Sequence, residues 1–512
     1  MILLHPSFPL LATALIIYLF SRYRPGFRFN WIIGVFGTLF SLVLTIYWKY
    51  HIPATFEIIK IQFTNSTYPT YTWLIDSTSL PIILVMVMLA VTILVIKNEK
   101  PDFYQLSWNL LLIGLGIFAS SSSNPYTVAA TWSSLTLVEI LMTQPHKEKV
   151  DHNSTFLLGM RLFELFLILW ASVISRVTNG LDNFRNIGLN AGIFLILACV
   201  LRIGLFPTLF EKSIKHSGVN SSLTFRMVCV AASFSLLARV LSGMTRSIWE
   251  IVLIVLIGLL TVLMGILALF ATGHNSGRKL RLIGFGALAL ITILLNNPLG
   301  TAILGATYIL IELFIHIFNP VKSIPFLVEI SLLFLYLTGL PFSTTFRIWN
   351  NQSGVSNLWL IPCLAGYIIL LAGIFKPYRY ISIRSIGMPQ SPGQNRRFTF
   401  LELSVIPLYM LIIGYSRIST KITGFQWGIG VAISILTIIL FLVSPKLIDI
   451  QPRFRSFKID SLQNIFTETT SKLFQTLSKL VHLFTSILEG DGGVLWSIVI
   501  LVLFISLLTR NK

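Results

Sequence analysis

A set of ionisable residues falls inside stretches of sequence that are otherwise apolar. A charged side chain at the centre of a bilayer costs several kcal/mol unless it is paired or hydrated, so such residues mark ion pathways and proton relays. Each is therefore a candidate for ion-pathway chemistry. The candidates are Glu139, Arg161, Glu164, Arg202, Arg226, Glu312, His316 and Arg347.

Two pairs of candidates have helical spacing. Arg161 and Glu164 share one helix face, so they either pair with each other or contribute separately to an ion pathway. Glu312 and His316 are one turn apart. A carboxylate beside an imidazole can pass protons, because both groups titrate near neutral pH when their surroundings shift them. A satisfied buried pair is the equally open alternative.

The stretch LRIGLFPTLFEKS (201–213) combines a charge with a helix breaker. Pro207 has no amide hydrogen and clashes with the preceding turn, which frees a backbone carbonyl near Ile203. Freed backbone groups at membrane depth are tolerated only against protein or a water-filled cavity. Arg202 beside this break indicates a hydrated ion site in a broken helix. A structural proline kink is the alternative.

The composition indicates which elements position these residues. The chain has 512 residues, of which 55% are apolar and 11% charged, and its mean hydropathy is +0.82. Soluble domains carry about 25% charged residues. Runs such as 251–271 reach the ~20 apolar residues needed to cross a bilayer. We therefore predict an all-α polytopic membrane protein, embedded in the lipid bilayer.

Apolar runs separated by polar breaks predict about 14–16 transmembrane helices, with broken helices in spans 7 and 12. The predicted spans are 5–21, 30–48, 79–96, 104–120, 125–143, 154–175, 189–216, 219–242, 248–272, 281–296, 298–318, 324–350, 355–375, 399–416, 425–444 and 493–509.

The basic residues that give the formal net charge of +19 are distributed unevenly among the loops, and this distribution indicates the topology. Loops after odd-numbered spans carry more than twice as many lysines and arginines as the others, which predicts that they are cytoplasmic and that the N-terminus lies outside. Because no basic patch is interleaved with aromatic residues, we expect no nucleic-acid partner. We predict the inner (plasma) membrane of a prokaryote, with an organelle membrane as the alternative.

Cys199, Cys229 and Cys363 all fall inside predicted spans. Their spacing fits neither a metal site nor a disulfide framework. The sequence contains no ligand set for a redox centre, so we expect no cofactor in this chain and place any electron transfer in partner subunits. An enzyme acting on lipid or glycan would need a nucleophile triad or paired carboxylates in a large extramembrane loop. The sequence offers neither, so it gives this function little support.

The C-terminal region differs from the rest. Apolar residues recur at helical spacing within 452–489, and polar residues fill the other face, which is typical of a helix that lies along an interface or a partner. This helix either rests on the membrane or on the chain's own helices, or ties the chain to neighbouring subunits. The predicted organisation is a transmembrane core at 1–450, an amphipathic lateral helix at 451–489 and a final transmembrane helix at 490–512.

Several motifs carry a resemblance to one family. LRIGLFPTLFEKS, followed by a span ending in SLLARV (235–240), resembles the broken-helix signature of the antiporter-like subunits of respiratory complex I. Membrane-bound hydrogenases and Mrp-type cation/proton antiporters belong to the same superfamily. The resemblance covers about residues 70–350. Further similar segments, in the family's order, are WLIDSTSLPIILV (73–85), STFLLG (154–159), GRKLRLIGFGALALITILL (277–295) and TGLPFSTTF (338–346).

The resemblance also locates the family's functional positions. It places the span-7 lysine at Arg202 and the span-5 glutamate near Ser133 or Ser134, more than a turn before Glu139. The span-11 lysine region holds Glu312. The span-6 lysine falls at Ser154, and the ionisable residue of the broken twelfth span, which includes Pro341, lies near Arg347 or Trp349.

At several of these positions this chain has a different residue from the family, and these differences bear on the mechanism that the resemblance implies. In the family, a glutamate–lysine pair and a chain of lysines carry protons along a hydrated axis, and lysine suits this because burial brings its pKa toward neutrality. Arginine keeps its proton at essentially any protein site, so Arg202 acts instead as a fixed charge.

The sequence therefore supports three functional hypotheses. The leading one is a divergent antiporter-like membrane subunit of a complex-I-like or hydrogenase-like assembly, which contributes to proton or monovalent-cation translocation with other membrane subunits as partners. A scaffold subunit that has lost translocation is the second. The third is a self-standing secondary ion transporter in which Glu139 and Arg202 coordinate an ion or anionic substrate.

Overall fold

The structure is a computed structural model. The residues that it describes are 2–24, 29–57, 71–95, 103–143, 152–179, 184, 188–203, 219–240, 248–271, 274–317, 324–340, 343–349, 357–384 and 424–448. All of them lie in one compact unit, Met1–Phe206 with Lys212–Ile450; a second unit, Pro207–Glu211 with Gln451–Lys512, is outside the described residues.

Helices dominate the described part of the chain. They are α1 (Ser7–Tyr23), α2 (Asn30–Tyr50), α3 (Leu80–Val95), α4 (Phe103–Ser121), α5 (Pro125–Thr143), α6 (His152–Asn179), α7 (Leu189–Ile203), α8 (Val219–Arg239), α9 (Ile248–Phe270), α10 (His274–Leu294), α11 (Pro298–Ile317), α12 (Ile324–Leu337), α13 (Ile361–Arg384) and α14 (Gly424–Ile448). Short 3-10 helices cover Ile2–Leu4, Thr344–Trp349 and Asn357–Leu360.

The apolar surface of this bundle suits a bilayer. Four of the described helices are long and apolar enough to cross a membrane, at Asn30–Tyr50, Phe103–Ser121, Ile251–Phe270 and Pro298–Ile315. Large apolar side chains are also exposed on α2, α6, α9 and α14. An exposed apolar surface of this extent is rare in soluble monomeric proteins. The predicted all-α polytopic membrane fold is confirmed.

Two helices, α3 and α11, are buried inside the bundle, and most of their residues are apolar. On α3, Ile82, Val85 and Met88 are all fully buried. On α11, Leu304 and Ile309 are fully buried as well. A helix that is apolar all round packs inside a protein instead of at its surface.

A small β-hairpin lies at one end of the bundle. β1 (Ala54–Glu57) pairs antiparallel with β2 (Thr72–Ile75), and Ala54 is opposite Ile75. Phe56 of the hairpin packs edge-on against His5, at a ring-centroid distance of 5.0 Å. The sequence analysis treated this region as a loop, because two four-residue strands are too short for a clear alternation of apolar and polar residues.

Most predicted spans coincide with helices, and α5 matches the prediction at both ends. α10 begins at His274, about two turns before the predicted start at 281, so Arg281 lies within the helix and not at its first residue. The break in span 12 follows the end of α12 at Leu337, after which Gly339 adopts a φ of 74° and a 3-10 helix begins at Thr344.

Several predictions fall outside the described residues and stay predictions. These are the break at Pro207, the position of Pro341, the spans at 399–416 and 493–509, and the amphipathic helix at 452–489. The same holds for the domain boundaries at 450 and 489.

Candidate site of buried charges

Charged side chains from three consecutive helices meet in one buried network. Arg161 of α6 donates from Nε to Glu139 Oε2 of α5 at 3.2 Å. Its Nη1 donates to both carboxylate oxygens of Glu164, at 3.0 and 3.2 Å. From α7, Arg202 Nη1 reaches Glu164 Oε2 at 3.2 Å. Charges therefore alternate in the order Glu139, Arg161, Glu164 and Arg202.

This network is shielded from solvent almost completely. The side chains of Glu164 and Arg202 are 0% exposed, and that of Glu139 is 7% exposed. Removing each ion from water costs several kcal/mol, which close opposite charges and hydrogen bonds must offset. The two acids and two bases formally cancel, and such cancellation is what burial at membrane depth requires.

Arg202 has hydrogen-bonding capacity beyond its bond to Glu164. Its guanidinium lies over the Trp132 ring, with Cζ 4.4 Å from the centroid, in a cation–π contact. Arg202 Nε and Nη2 and Trp132 Nε1 are buried and have no hydrogen-bond partner among the described residues. Buried donors of this kind are usually satisfied by ordered water, so the place where α5 meets α7 is suited to hold water.

A second buried ion pair joins α10 to α11. Arg281 donates to Glu312 Oε1 from Nη2 at 2.9 Å and from Nε at 3.2 Å. Both residues are buried. The side chain of His316 lies outside the described residues, so its predicted pairing with Glu312 stays a prediction. Arg281 is not among the predicted ion-pathway residues, because it stands at the first residue of the predicted span, next to the basic residues that precede it.

A third charged cluster fixes the β-hairpin end of the bundle. Arg239, the last residue of α8, donates from Nη2 to Leu74 O at 2.7 Å and from Nη1 to Ser122 O. Its Nη2 also lies 3.6 Å from Asp76 Oδ1. Burial opposes the ionisation of Asp76, but the charge of Arg239 and hydrogen bonds from Thr78 and Ser79 outweigh it and lower the pKa of Asp76.

The other two predicted arginines are half-buried. Arg226 is half-buried on α8. Arg347 is half-buried in the 3-10 helix after α12, with Cζ 5.6 Å from the centroid of the Phe346 ring, while its backbone carbonyl accepts from Asn297 Nδ2 at 2.7 Å.

The chemistry available to these clusters follows from their residue types. Arginine does not release its proton, so Arg161, Arg202 and Arg281 are permanent cations. The carboxylates that these three arginines bind, Glu139, Glu164 and Glu312, are the groups that can change charge in the first two clusters. The three cysteines are buried, as their apolar spans predicted. Within the described residues no group of His, Cys, Asp or Glu side chains is arranged to hold a metal ion.

The sequence identifies the members of the first network and offers the pairing of Arg161 with Glu164 as one alternative, which the structure confirms, but it does not reveal the contacts between helices. The sequence analysis also missed Arg239 and Asp76, although an arginine closing the apolar span that ends in SLLARV was a usable signal. The stacking of Trp132 under Arg202 had no sequence signal, since a tryptophan in an apolar helix ordinarily packs in the core.

No protein-family model matches the sequence, and no curated protein matches it either. Solved structures do match the fold. A chain of the Mrp complex from Dietzia sp. DQ12-45-1b superposes with a TM-score of 0.64 and 11% identity, covering 96% of this chain and 62% of that one. The present chain therefore spans less than two thirds of that relative's length.

A chain of the membrane-bound sulfane sulfur reductase, an archaeal respiratory membrane complex, matches over nearly its full length. The TM-score is 0.64 at 12% identity, and the match covers 97% of this chain and 99% of that one. A chain of respiratory complex I from Thermus thermophilus with bound NADH gives a TM-score of 0.47 and 15% identity, covering 86% and 96%. The two matches with a TM-score of 0.64 show that the present chain shares its fold with a chain of the Mrp complex and a chain of this archaeal respiratory membrane complex, which agrees with the resemblance that its sequence motifs indicate.

Proposed function

We propose that this chain is a membrane subunit of a multi-subunit complex and contributes to the translocation of protons or monovalent cations. The observation that carries this proposal is the buried network in which Glu164 is shared between Arg161 and Arg202. Replacing a buried ion cluster by apolar residues is often neutral or stabilising, so stability alone is a weak reason to keep four charges inside a membrane helix bundle. Ion pathways are the common reason.

The network suggests a mechanism carried by carboxylates instead of lysines. Glu139, at the slightly exposed end, exchanges a proton with water outside the bundle. Glu164, at the fully buried end, is the inner site. Arg161 bridges the two carboxylates, and its fixed charge stabilises whichever of them is ionised.

Arg202 completes this arrangement as a positioning group. When Glu164 is protonated, its attraction to Arg202 weakens, and the guanidinium is still held by Trp132. The unpartnered Nε and Nη2 atoms of Arg202 then orient water toward the next stage of the pathway. The pair of Arg281 and Glu312 is the corresponding group in the second half of the bundle.

Redox-coupled translocation by the intact complex tests this proposal. The complex is purified with its companion subunits, reconstituted into liposomes, and assayed for proton uptake with an enclosed pH-sensitive dye. Glu164→Gln and Glu312→Gln are expected to reduce the rate of proton uptake by at least about tenfold, because the loss of one proton-transfer group slows the transfer by that much or more. Arg176→Gln, an exposed position on the same helix as Arg161, is the matched control.

A second candidate function, a scaffold that no longer translocates, is favoured by one observation. In the two buried clusters each acidic residue is bound by an arginine, which does not titrate. Unchanged proton uptake in Arg202→Ala and Glu312→Gln, with the complex still assembled, would establish the scaffold and refute a direct relay. A protein that purifies alone and exchanges ions in liposomes would support the self-standing transporter instead.

A further inference from the structure

An apolar groove opens on the surface of the bundle at the C-terminal end of α1. Its volume is about 230 Å³, and it is lined by Ile16, Leu19, Phe20, Tyr23 and Arg24. Leu19, Phe20 and Tyr23 are exposed to the surroundings of the bundle. In a protein that spans a bilayer, such a groove faces hydrocarbon and has the chemistry of an acyl-chain site.

Arg24 lines this groove, and a second arginine, Arg22, lies two residues before it at the end of α1. Arg22 and Arg24 are both exposed, and neither has an ion pair among the described residues. Arg22 Nη1 donates to Tyr18 OH at 3.4 Å, which directs the guanidinium along the helix. The first acidic residue of the whole chain is Glu57, so this N-terminal region carries positive charge that its own sequence does not neutralise.

Aromatic side chains place this end of the bundle at the level of the lipid headgroups. Tyr18 lies 5.8 Å from Tyr104 and 6.2 Å from Trp108 between ring centroids, and Tyr104 and Trp108 are 5.9 Å apart. These residues join the last turns of α1 to the first turns of α4. Clusters of tyrosine and tryptophan are enriched where hydrocarbon meets water, because the rings are apolar and their N–H and O–H groups are polar.

We propose that this groove binds an anionic phospholipid, with an acyl chain against Ile16, Leu19 and Phe20 and the phosphate held by Arg22 and Arg24. Charge complementarity selects this occupant over an apolar helix of a partner, which would leave both arginines without a counter-ion. A zwitterionic lipid offers the same phosphate, but its own ammonium group competes for it. Arginine suits the site because its planar guanidinium binds phosphate through paired hydrogen bonds.

Lipid binding to the purified full-length protein, with any subunits that stay attached, tests this proposal. The protein in detergent is titrated with phosphatidylglycerol or phosphatidylcholine, and bound lipid is counted by native mass spectrometry. Because each arginine near a membrane surface contributes about one kcal/mol toward anionic lipid, the double variant Arg22→Gln/Arg24→Gln is expected to bind phosphatidylglycerol about 30-fold more weakly. Phosphatidylcholine binding is expected to change little.

Two further variants separate the headgroup from the groove. Leu19→Trp fills the groove while keeping both charges, and it is expected to weaken the binding of both lipids. Arg176→Gln removes an exposed arginine at the end of α6 and is expected to bind both lipids like the unchanged protein. Both the double variant and Leu19→Trp alter exposed positions, so folding is checked by an unchanged Tm in detergent alone.

Three results would overturn the proposal. The first is equal affinity of the unchanged protein for the two lipids. The second is unaltered phosphatidylglycerol binding in the Arg22→Gln/Arg24→Gln variant. The third is loss of an attached subunit from that variant while lipid binding persists, which would assign the surface to a protein partner.

Discussion

Arg202 of α7 donates a hydrogen bond to Glu164 of α6 at 3.2 Å, with both side chains fully shielded from solvent. This contact joins a predicted ion-pathway residue to an acid that the sequence pattern connects only with Arg161. Glu164 thereby receives two permanent cations. The inner carboxylate of the network is thus held by two fixed charges, one of which, Arg202, stands where the sequence resemblance places a lysine.

Arg202→Ala should destabilise the protein markedly. The change leaves Glu164 with one cation in place of two and removes the guanidinium from the Trp132 ring. Loss of one partner from a buried ion pair costs about 3 kcal/mol or more. The free energy of unfolding, measured in mixed micelles, is expected to fall by that amount, whereas Arg176→Gln at an exposed position should change it by less than about 0.5 kcal/mol.

A double-mutant cycle tests whether this loss arises from the pair itself. Combining Arg202→Ala with Glu164→Gln should cost less than the sum of the single variants, by about 1–3 kcal/mol, because residues in one charged network are coupled. Additive losses would show that Arg202 acts through packing on Trp132 and not through Glu164.

Arg202→Lys should introduce a group that can titrate. Lysine keeps the positive charge but loses its proton more readily when buried, unlike arginine. If the complex translocates protons through this network, the rate of proton uptake in the variant should acquire a pH dependence that the unchanged protein lacks between about pH 6 and 9. A profile identical to that of the unchanged protein would place Arg202 outside the pathway.

Variants of the Arg281–Glu312 pair separate the effect of an unpaired buried charge from the effect of a changed side-chain volume. Glu312→Leu alone leaves Arg281 buried without its carboxylate and should cost about 3–5 kcal/mol. Arg281→Met/Glu312→Leu removes both charges and should recover most of that stability, since apolar replacement of a whole buried pair is often neutral. Thermal unfolding in detergent measures both. A double variant as unstable as Glu312→Leu would contradict this account.

The sequence predicts individual residues of these clusters better than their connections. Glu139, Arg161, Glu164, Arg202 and Glu312 each stand out because an ionisable group inside an apolar span is energetically expensive. Spacing along one helix relates Arg161 to Glu164, but contacts between helices depend on packing angles and register, which periodicity does not encode.

Helix boundaries account for a further part of what the sequence did not reveal. The predicted span begins only at Arg281, because basic residues at 278, 279 and 281 precede the apolar run, yet α10 begins at His274. The charge of Arg281 can be buried inside the bundle because Glu312 on the neighbouring helix neutralises it. Tertiary pairing thus overrides the local polarity signal.

The cluster of Arg239 and Asp76 should make stability depend on pH at the acid end. The pKa of Asp76 in the folded protein lies below its ordinary value of 3.8, so its ionised form stabilises the fold above that pH. This contribution is lost as the pH falls from about 5 through the folded pKa. Tm measured from pH 7 down to 3 is expected to decrease more steeply for the unchanged protein than for Asp76→Asn.

Asp76→Asn also provides the internal comparison at neutral pH. It keeps an oxygen that can accept from Thr78 and Ser79 but removes the charge facing Arg239. Its Tm should therefore be lower at pH 7 and should approach that of the unchanged protein near pH 3. Parallel curves for the two proteins would assign the acid loss to other carboxylates.

The contact between α9 and α13 depends on the absence of a side chain at Gly366. A Cβ atom placed there would lie 2.9 Å from the backbone carbonyl carbon of Thr261, and backbone cannot move away as a flexible side chain can. Gly366→Ala should therefore force the helices apart and cost about 1–3 kcal/mol.

At Gly428 on α14 a Cβ would meet nothing within 4 Å. Gly428→Ala is thus expected to be neutral or to stabilise the helix by up to about 1 kcal/mol, since alanine loses less backbone entropy than glycine. Unfolding of both variants in the same micelles measures the contrast, and equal stabilities would refute the close approach of α9 and α13.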